Sequence, residues 1–377
     1  MRGPVRARHV TVPRIEEDAL PHMSSGRTRQ RLRAAALALL TVLGSASVVG
    51  VRSATACDVC SIYIGTTKQE QARGPFIAIA QQFTSFTTLQ LDGEQIPNFD
   101  DEKIDSSITQ FVLGYTVNPR LHFQFNVPLI SRHFRRATLT GTETDDETGI
   151  GDVSLAGRYS LIQRVVPRSI INLDLMLGVK FPTGNTDRLG EESVEVEGEE
   201  ADEGTTALRF DRHPGPKDLP RHDGPGGAIS GVHGHDLTLG TGSFDAFVGA
   251  SSFTTYRRAF FSGAIQYMMR TEGDFDYTFA NDLQWEGGPG AYLLLNHNYT
   301  LALQAWFLGE SKGKDTQAGV RLDDTAITAL YLGPRLTFSY STRSHADVGV
   351  AFPLIQNTTE LQLVPDYRLR AAWVWHF

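Results

Sequence analysis

Period-two alternation of apolar and polar side chains, a regular exchange of short and long connections, and an aromatic C-terminal strand predict an all-β chain. The expected fold is a transmembrane antiparallel β-barrel of about 12 strands, preceded by a cleaved N-terminal signal. The last segment carries the pattern most fully. Tyr367, Leu369, Ala371, Trp373, Trp375 and Phe377 fall on one side of an extended strand, and Arg368, Arg370, Ala372, Val374 and His376 on the other. Side chains alternate across a strand, so one face suits lipid and the other a wet interior. A mean hydropathy of −0.21 is compatible with this fold, because alternation keeps the average low.

Taken in chain order, the first feature is a secretory signal over residues 1–56: basic Arg27–Arg33, an apolar run from Ala34 to Val51, then small residues at Ser53–Ala56. Residues before Met23 fit no signal region, which makes Met23 a candidate start. An uncleaved anchor lacks a following stop-transfer pattern, and a lipid anchor on Cys57 would want Leu where Ala54 stands. Residues 57–74 form a short N-terminal segment, and the barrel is expected over 75–377. Its strands read at 75–89, 106–117, 121–137, 150–163, 169–182, 242–255, 259–270, 277–295, 299–310, 325–340, 345–355 and 365–377. Leu121, Phe123, Phe125, Val127 and Leu129 point outward against His122, Gln124 and Asn126, for example. Either face of Phe76 to Phe86 suits lipid.

Short turns at 118–120, 164–168, 256–258, 296–298 and 341–344 alternate with longer loops at 90–105, 138–149, 183–241, 271–276, 311–324 and 356–364. Outer-membrane barrels have this rhythm, with the short turns periplasmic. A periplasmic β-sandwich would also alternate, but explains neither the rhythm nor the aromatic strand ends. The final strand resembles the assembly signal of such barrels, with Trp373, Trp375 and Phe377 as its signature. It implies the barrel-assembly machinery and the lipid bilayer as partners, and the bacterial outer membrane as the location. The net charge of −8, without a basic cluster after the signal, argues against nucleic acid.

Three segments, Gly149-Ile-Gly-Asp-Val153, Lys180-Phe-Pro-Thr-Gly184 and Leu239-Gly-Thr-Gly-Ser-Phe-Asp245, stand at strand–loop junctions in that order. Together they resemble the outer-membrane family named for the phenol-degradation meta-pathway, from about residue 75 to Phe377. The resemblance implies a 12-strand, transporter-like barrel encoded near operons that handle aromatic or other hydrophobic molecules, and it brings no catalytic residues. Read without it, the motif glycines Gly149, Gly151, Gly184, Gly240 and Gly242 simply permit turn geometries.

Twelve strands leave room for a narrow pore or ligand cavity. Its lining by register includes Arg158, Asp174, Lys180, Asp245, Gln266 and Arg270 on the earlier strands. Asp282, Trp306, Arg335, Arg368 and Arg370 follow on the later ones, with Phe247 and Met268 also inward. Both charge signs are present, so the groups suit either a solute path or mutual neutralisation in a filled lumen. Apolar residues among charges favour a small hydrophobic or amphipathic solute, carried passively. Cys57 and Cys60 can form a reducible disulfide, bind a soft metal or meet a periplasmic partner. Ser61 stands where covalent haem needs His, and no cofactor is expected. Loop 183–241 holds an acidic run and then His213, His222, His233 and His235. His233-Gly-His235 is a candidate metal ligand pair, against the alternative of a solvated extracellular loop. No local pattern pairs a nucleophile with a base, so an enzyme is not expected.

Overall fold

The computed structural model describes residues 73–138, 141–192 and 230–377. Its body is 12 long strands: β1 (Gly74–Leu91), β2 (Lys103–Asn118), β3 (Leu121–Thr138), β4 (Ser154–Val166), β5 (Ser169–Lys180), β6 (Asp245–Tyr256), β7 (Ala259–Met269), β8 (Asp282–Leu295), β9 (Tyr299–Lys312), β10 (Ile327–Tyr340), β11 (Ser344–Thr358) and β12 (Leu361–His376). Each pairs antiparallel with its neighbour in sequence, and β12 pairs with β1 to close the barrel. The seam runs from Phe76 opposite His376 to Leu91 opposite Leu361, and the Phe377 amide donates to the Pro75 carbonyl at 3.2 Å. Closure leaves no sheet edge, which is what allows a sheet to cross a bilayer. No helix among the described residues is long and apolar enough to cross a membrane.

The alternation read from the sequence becomes the inside–outside division. On β3, Phe123, Phe125 and Leu129 are exposed while His122 and Asn126 are buried. On β12, Leu369 and Trp373 face out, as does Phe377 just beyond it, and Arg368, Ala372 and His376 face in. The ambiguity of β1 resolves by what it touches. Ala78 and Ala80 pack inward with Val112 and Ala372, and Phe86 joins an interior cluster. The outer apolar belt does not run the whole strand length. On β2, Phe111, Leu113 and Tyr115 are exposed near the turn end, whereas Asp105, Ser107 and Thr109 take the same face nearer the loops. Spanning needs roughly 9–11 residues; β1 and β3 have 18 each and project beyond the lipid.

Two expectations need correction. Segment 277–295 is not one strand. Phe275 and Asp276 adopt φ of 59° and 54°, which reverses the chain, and Tyr277–Thr278 pairs instead with Thr316–Gln317 in a small separate sheet. Tyr277 and Phe279 turn inward onto Leu189, and the barrel strand restarts at Asp282. Segment 138–149 is not a plain loop. Gly141–Ile150 pairs with residues 129–138 of β3 and extends that hairpin past the barrel. The predicted signal 1–56 and the pair Cys57 and Cys60 lie outside the described residues.

Candidate functional site: the lumen and the segment folded into its mouth

The three family-like motifs meet at one buried point. Asp152, between Gly141–Ile150 and β4, accepts hydrogen bonds from the amides of Thr183, Gly184 and Thr241 at 3.2, 3.0 and 2.9 Å. Its carboxylate also holds Lys180 Nζ at 2.6 Å. Lys180 sits opposite Asp245 in the β5–β6 register, 2.8 Å from its carboxylate. Arg270 continues the line, 2.9 Å from Asp245 and 2.6 Å from Asp282. The signs alternate along the rim, so each buried charge has an opposite neighbour. Two motif glycines serve close approach: a Cβ on Gly184 would lie 2.6 Å from the Leu239 carbonyl oxygen, and one on Gly240 2.7 Å from Asp152 Oδ1.

A second network crosses the lumen. Arg370 on β12 reaches Glu286 on β8 at 2.7 Å, and Arg368 reaches Glu310 on β9 at 2.8 Å. Arg335 lies 2.8 Å from Asp347 and 3.9 Å from Glu286. Trp306 is 1% exposed between them, with Arg335 and Arg370 over its ring at 5.6 and 5.9 Å. Asp174 is buried and Arg158 half-buried, both on the inward faces of β5 and β4 nearer the turn end. Gln266 is 1% exposed, and neither atom of its amide finds a hydrogen-bond partner among the described residues. Phe247, Met176 and Met268 form an apolar patch beside it. Of the residues expected along the lining, Asp174, Lys180, Asp245, Gln266, Arg270, Asp282, Trp306, Arg335 and Arg368 are buried, and Arg158 and Arg370 are half-buried. The partners Glu286, Glu310 and Asp347 follow the same strand parity, whereas Asp152, in an irregular junction, has no parity to place it.

The long loop departs from the solvated reading where it is described. Residues 230–241 fold into the mouth. Val232 and Leu237 pack with Phe86, Leu89, Ile104, Phe134, Leu361 and Leu363, and Leu239 packs with Ile108 and Ile130. The Gly231 amide donates to Glu102 at 2.9 Å, its carbonyl accepts from Leu363 at 3.0 Å, and buried Arg132 donates to the Thr238 carbonyl. Arg188 anchors the other end of the loop, bonded to Glu147 and Glu191 and lying over Phe134. A short helix α1 (Gly234–Leu237) follows His233. His233 and His235 stack with centroids 5.3 Å apart, and His235 also stacks on Tyr277. Burial opposes a charged imidazole at both, but carboxylates outweigh it. Asp324 and Asp236 hold His233 up at about 9, and Asp236 and Glu192 hold His235 at about 10. Against the same burial, His235 and His233 hold the Asp236 carboxyl well below the usual range.

No family model and no curated protein matches the chain. Among solved structures, the COG4313 outer membrane channel from Pseudomonas putida F1 aligns with a TM-score of 0.53 and 12% identity, over 84% of this chain and 100% of the other. The translocator domain of the autotransporter NalP from Neisseria meningitidis gives a TM-score of 0.38 at 8% identity, over 81% of this chain and 90% of the other. A FadL homologue from Pseudomonas aeruginosa gives 0.34 at 9% identity, over 81% and 90%. At such identities the likeness is one of fold. That fold is the outer-membrane β-barrel. Together with the apolar outer belt it places the chain in the bacterial outer membrane.

Proposed function

We propose that the barrel is a passive outer-membrane channel for small hydrophobic, aromatic or amphipathic solutes, in keeping with the phenol-degradation meta-pathway family it resembles. The observation that carries this reading is the unsatisfied polar character of the lumen. Among the described residues, the buried Gln266 amide has no hydrogen-bond partner, and Asn126 Oδ1 and Asp282 Oδ1 are buried without one. Buried polar atoms need a partner, and facing the lumen these can take water or a solute. The apolar surfaces of Phe247, Met268 and Trp306 lie beside them, which suits a molecule with one polar and one apolar end. The lining residues act as a fixed polar wall, and no catalytic role is assigned to any of them.

A second reading has its own observation. Residues 230–241 occupy the mouth and two arginine–carboxylate pairs bridge the lumen, as a filled barrel would require. Such a barrel would act through a periplasmic contact at Cys57 and Cys60. Single-channel conductance of the refolded mature protein separates the two, recorded with and without phenol. Conductance that phenol blocks or modulates supports a solute path. Silence from folded, inserted protein shifts the assignment to the filled barrel, and a Cys60→Ser variant then becomes the test of the periplasmic contact.

A further inference from the structure

The cluster around His235 is built differently from the ion pairs of the lumen. Glu192, His233, His235 and Asp324 are 2%, 6%, 4% and 3% exposed, and they come from three separate stretches of chain. Each imidazole has one nitrogen set against a buried carboxylate: His235 Nδ1 at 2.9 Å from Glu192, and His233 Nε2 at 3.3 Å from Asp324. The Glu192 carboxylate also accepts from the His235 amide at 2.8 Å, which fixes it in place. The other nitrogens converge on a single carboxylate. His235 Nε2 lies 3.5 Å from Asp236 Oδ1, and His233 Nδ1 lies 3.7 Å from Asp236 Oδ2. His235 Nε2 makes no hydrogen bond among the described residues although it is buried. Asp236 is in turn oriented by the His233 amide at 3.1 Å.

A carboxylate behind each imidazole, with the opposite nitrogens facing a common point, is how metal-binding histidines are oriented and made more basic. One ligand atom from each of His233, His235 and Asp236 lies within 4.8 Å of the others. Tetrahedral donors about 2.1 Å from one ion stand about 3.4 Å apart, so the side chains would close in by up to roughly 1.4 Å to complete the set. We propose that His233, His235 and Asp236 form a binding site for a divalent first-row transition metal of the zinc type, with Glu192 and Asp324 as orienting carboxylates. Imidazole donors select such ions over calcium or magnesium, which prefer all-oxygen sites. Glu192, Asp236 and Asp324 surround the two imidazoles in a buried place, so a dication that takes the place of the imidazole protons stays matched by carboxylate charge. Two imidazoles and one carboxylate leave a coordination position open. The site would tie residues 230–238 to the 192 and 324 loops, fastening the segment that occupies the mouth. It stands apart from the solute reading.

The test uses the full-length folded barrel in detergent, stripped of metal and titrated with zinc chloride, then with cobalt chloride. The expected result is one tight equivalent per chain, weakened at least 100-fold in His235→Gln/Asp236→Asn. Glu192→Gln keeps every ligand and should weaken binding by about 10–100-fold. Heat-modified migration on gels verifies that each variant is folded. Bound cobalt should show the visible bands of nitrogen and oxygen ligands without a thiolate charge-transfer band, which separates this site from Cys57 and Cys60. The proposal is overturned if folded protein takes up no tight zinc, if both variants bind as the parent does, or if the tight cobalt carries the thiolate band.

Discussion

At the scale of single residues, the telling feature is how the charged side chains of the interior are matched. Lys180 is shared by Asp152 and Asp245, and its side chain is 3% exposed. Removing one partner of a buried pair leaves an uncompensated charge, which is costlier than the pair was worth. Lys180→Met should therefore lower stability by about 3 kcal/mol, read from the urea midpoint of the refolded barrel. A loss well under about 1 kcal/mol would mean that water already reaches Asp152. Lys180 and Asp245 were readable as inward-facing from strand parity. Asp152 was not, because its position is defined by amides of Thr183, Gly184 and Thr241, 31 to 89 residues further along the chain.

At the scale of elements, two features decide whether strands and loops settle correctly. The Lys180–Gly184 corner lies against Leu239 and Gly240 at a distance that admits no side chain. Gly184→Ala should cost about 1–3 kcal/mol through overpacking and loosen the junction between β5 and the following loop. Enhanced proteolysis within 183–241 would report it, and an unchanged cleavage pattern would argue that the corner yields easily. The second feature is the closing strand. Phe377 directly follows β12, with its amide on the Pro75 carbonyl and its side chain exposed. Deleting Phe377 should reduce the fraction of chain that reaches the heat-modifiable, membrane-inserted form. Normal insertion without it would count against the terminal strand as the assembly signal.

For the whole molecule, the question is how far the mouth is closed. Leu237 has no exposed surface and anchors residues 230–241 among Phe86, Leu89, Phe134 and Leu363. Leu237→Asp would place an unpaired carboxylate in that cluster, which favours release of the segment over burial of the charge. Strand content by circular dichroism should be unchanged while single-channel conductance rises. Equal conductance in parent and variant would show that the segment does not limit the path. The cross-lumen pairs Arg370–Glu286 and Arg368–Glu310 would remain in place in that variant and would then set the limit.

The sequence by itself determined the barrel: its strand number, which face of nearly every strand meets lipid, and where the chain turns. That follows from physics local to the strand, since a period of two maps directly onto inside and outside. The first strand escaped it because β1 is apolar on both faces, one toward lipid and one toward the cluster in the mouth. Segment 277–295 escaped it because Tyr277 and Phe279 keep strand-like character while left-handed Phe275 and Asp276 redirect the chain. Only the tertiary structure decided what fills the barrel. Three motifs that read as separate turns converge on Asp152, and a loop that reads as solvated by composition buries His233 and His235 beside Glu192 and Asp324. Those contacts join positions 28 to 91 residues apart along the chain. No local pattern encodes them, because each side supplies only half of a charge pair or half of an apolar contact.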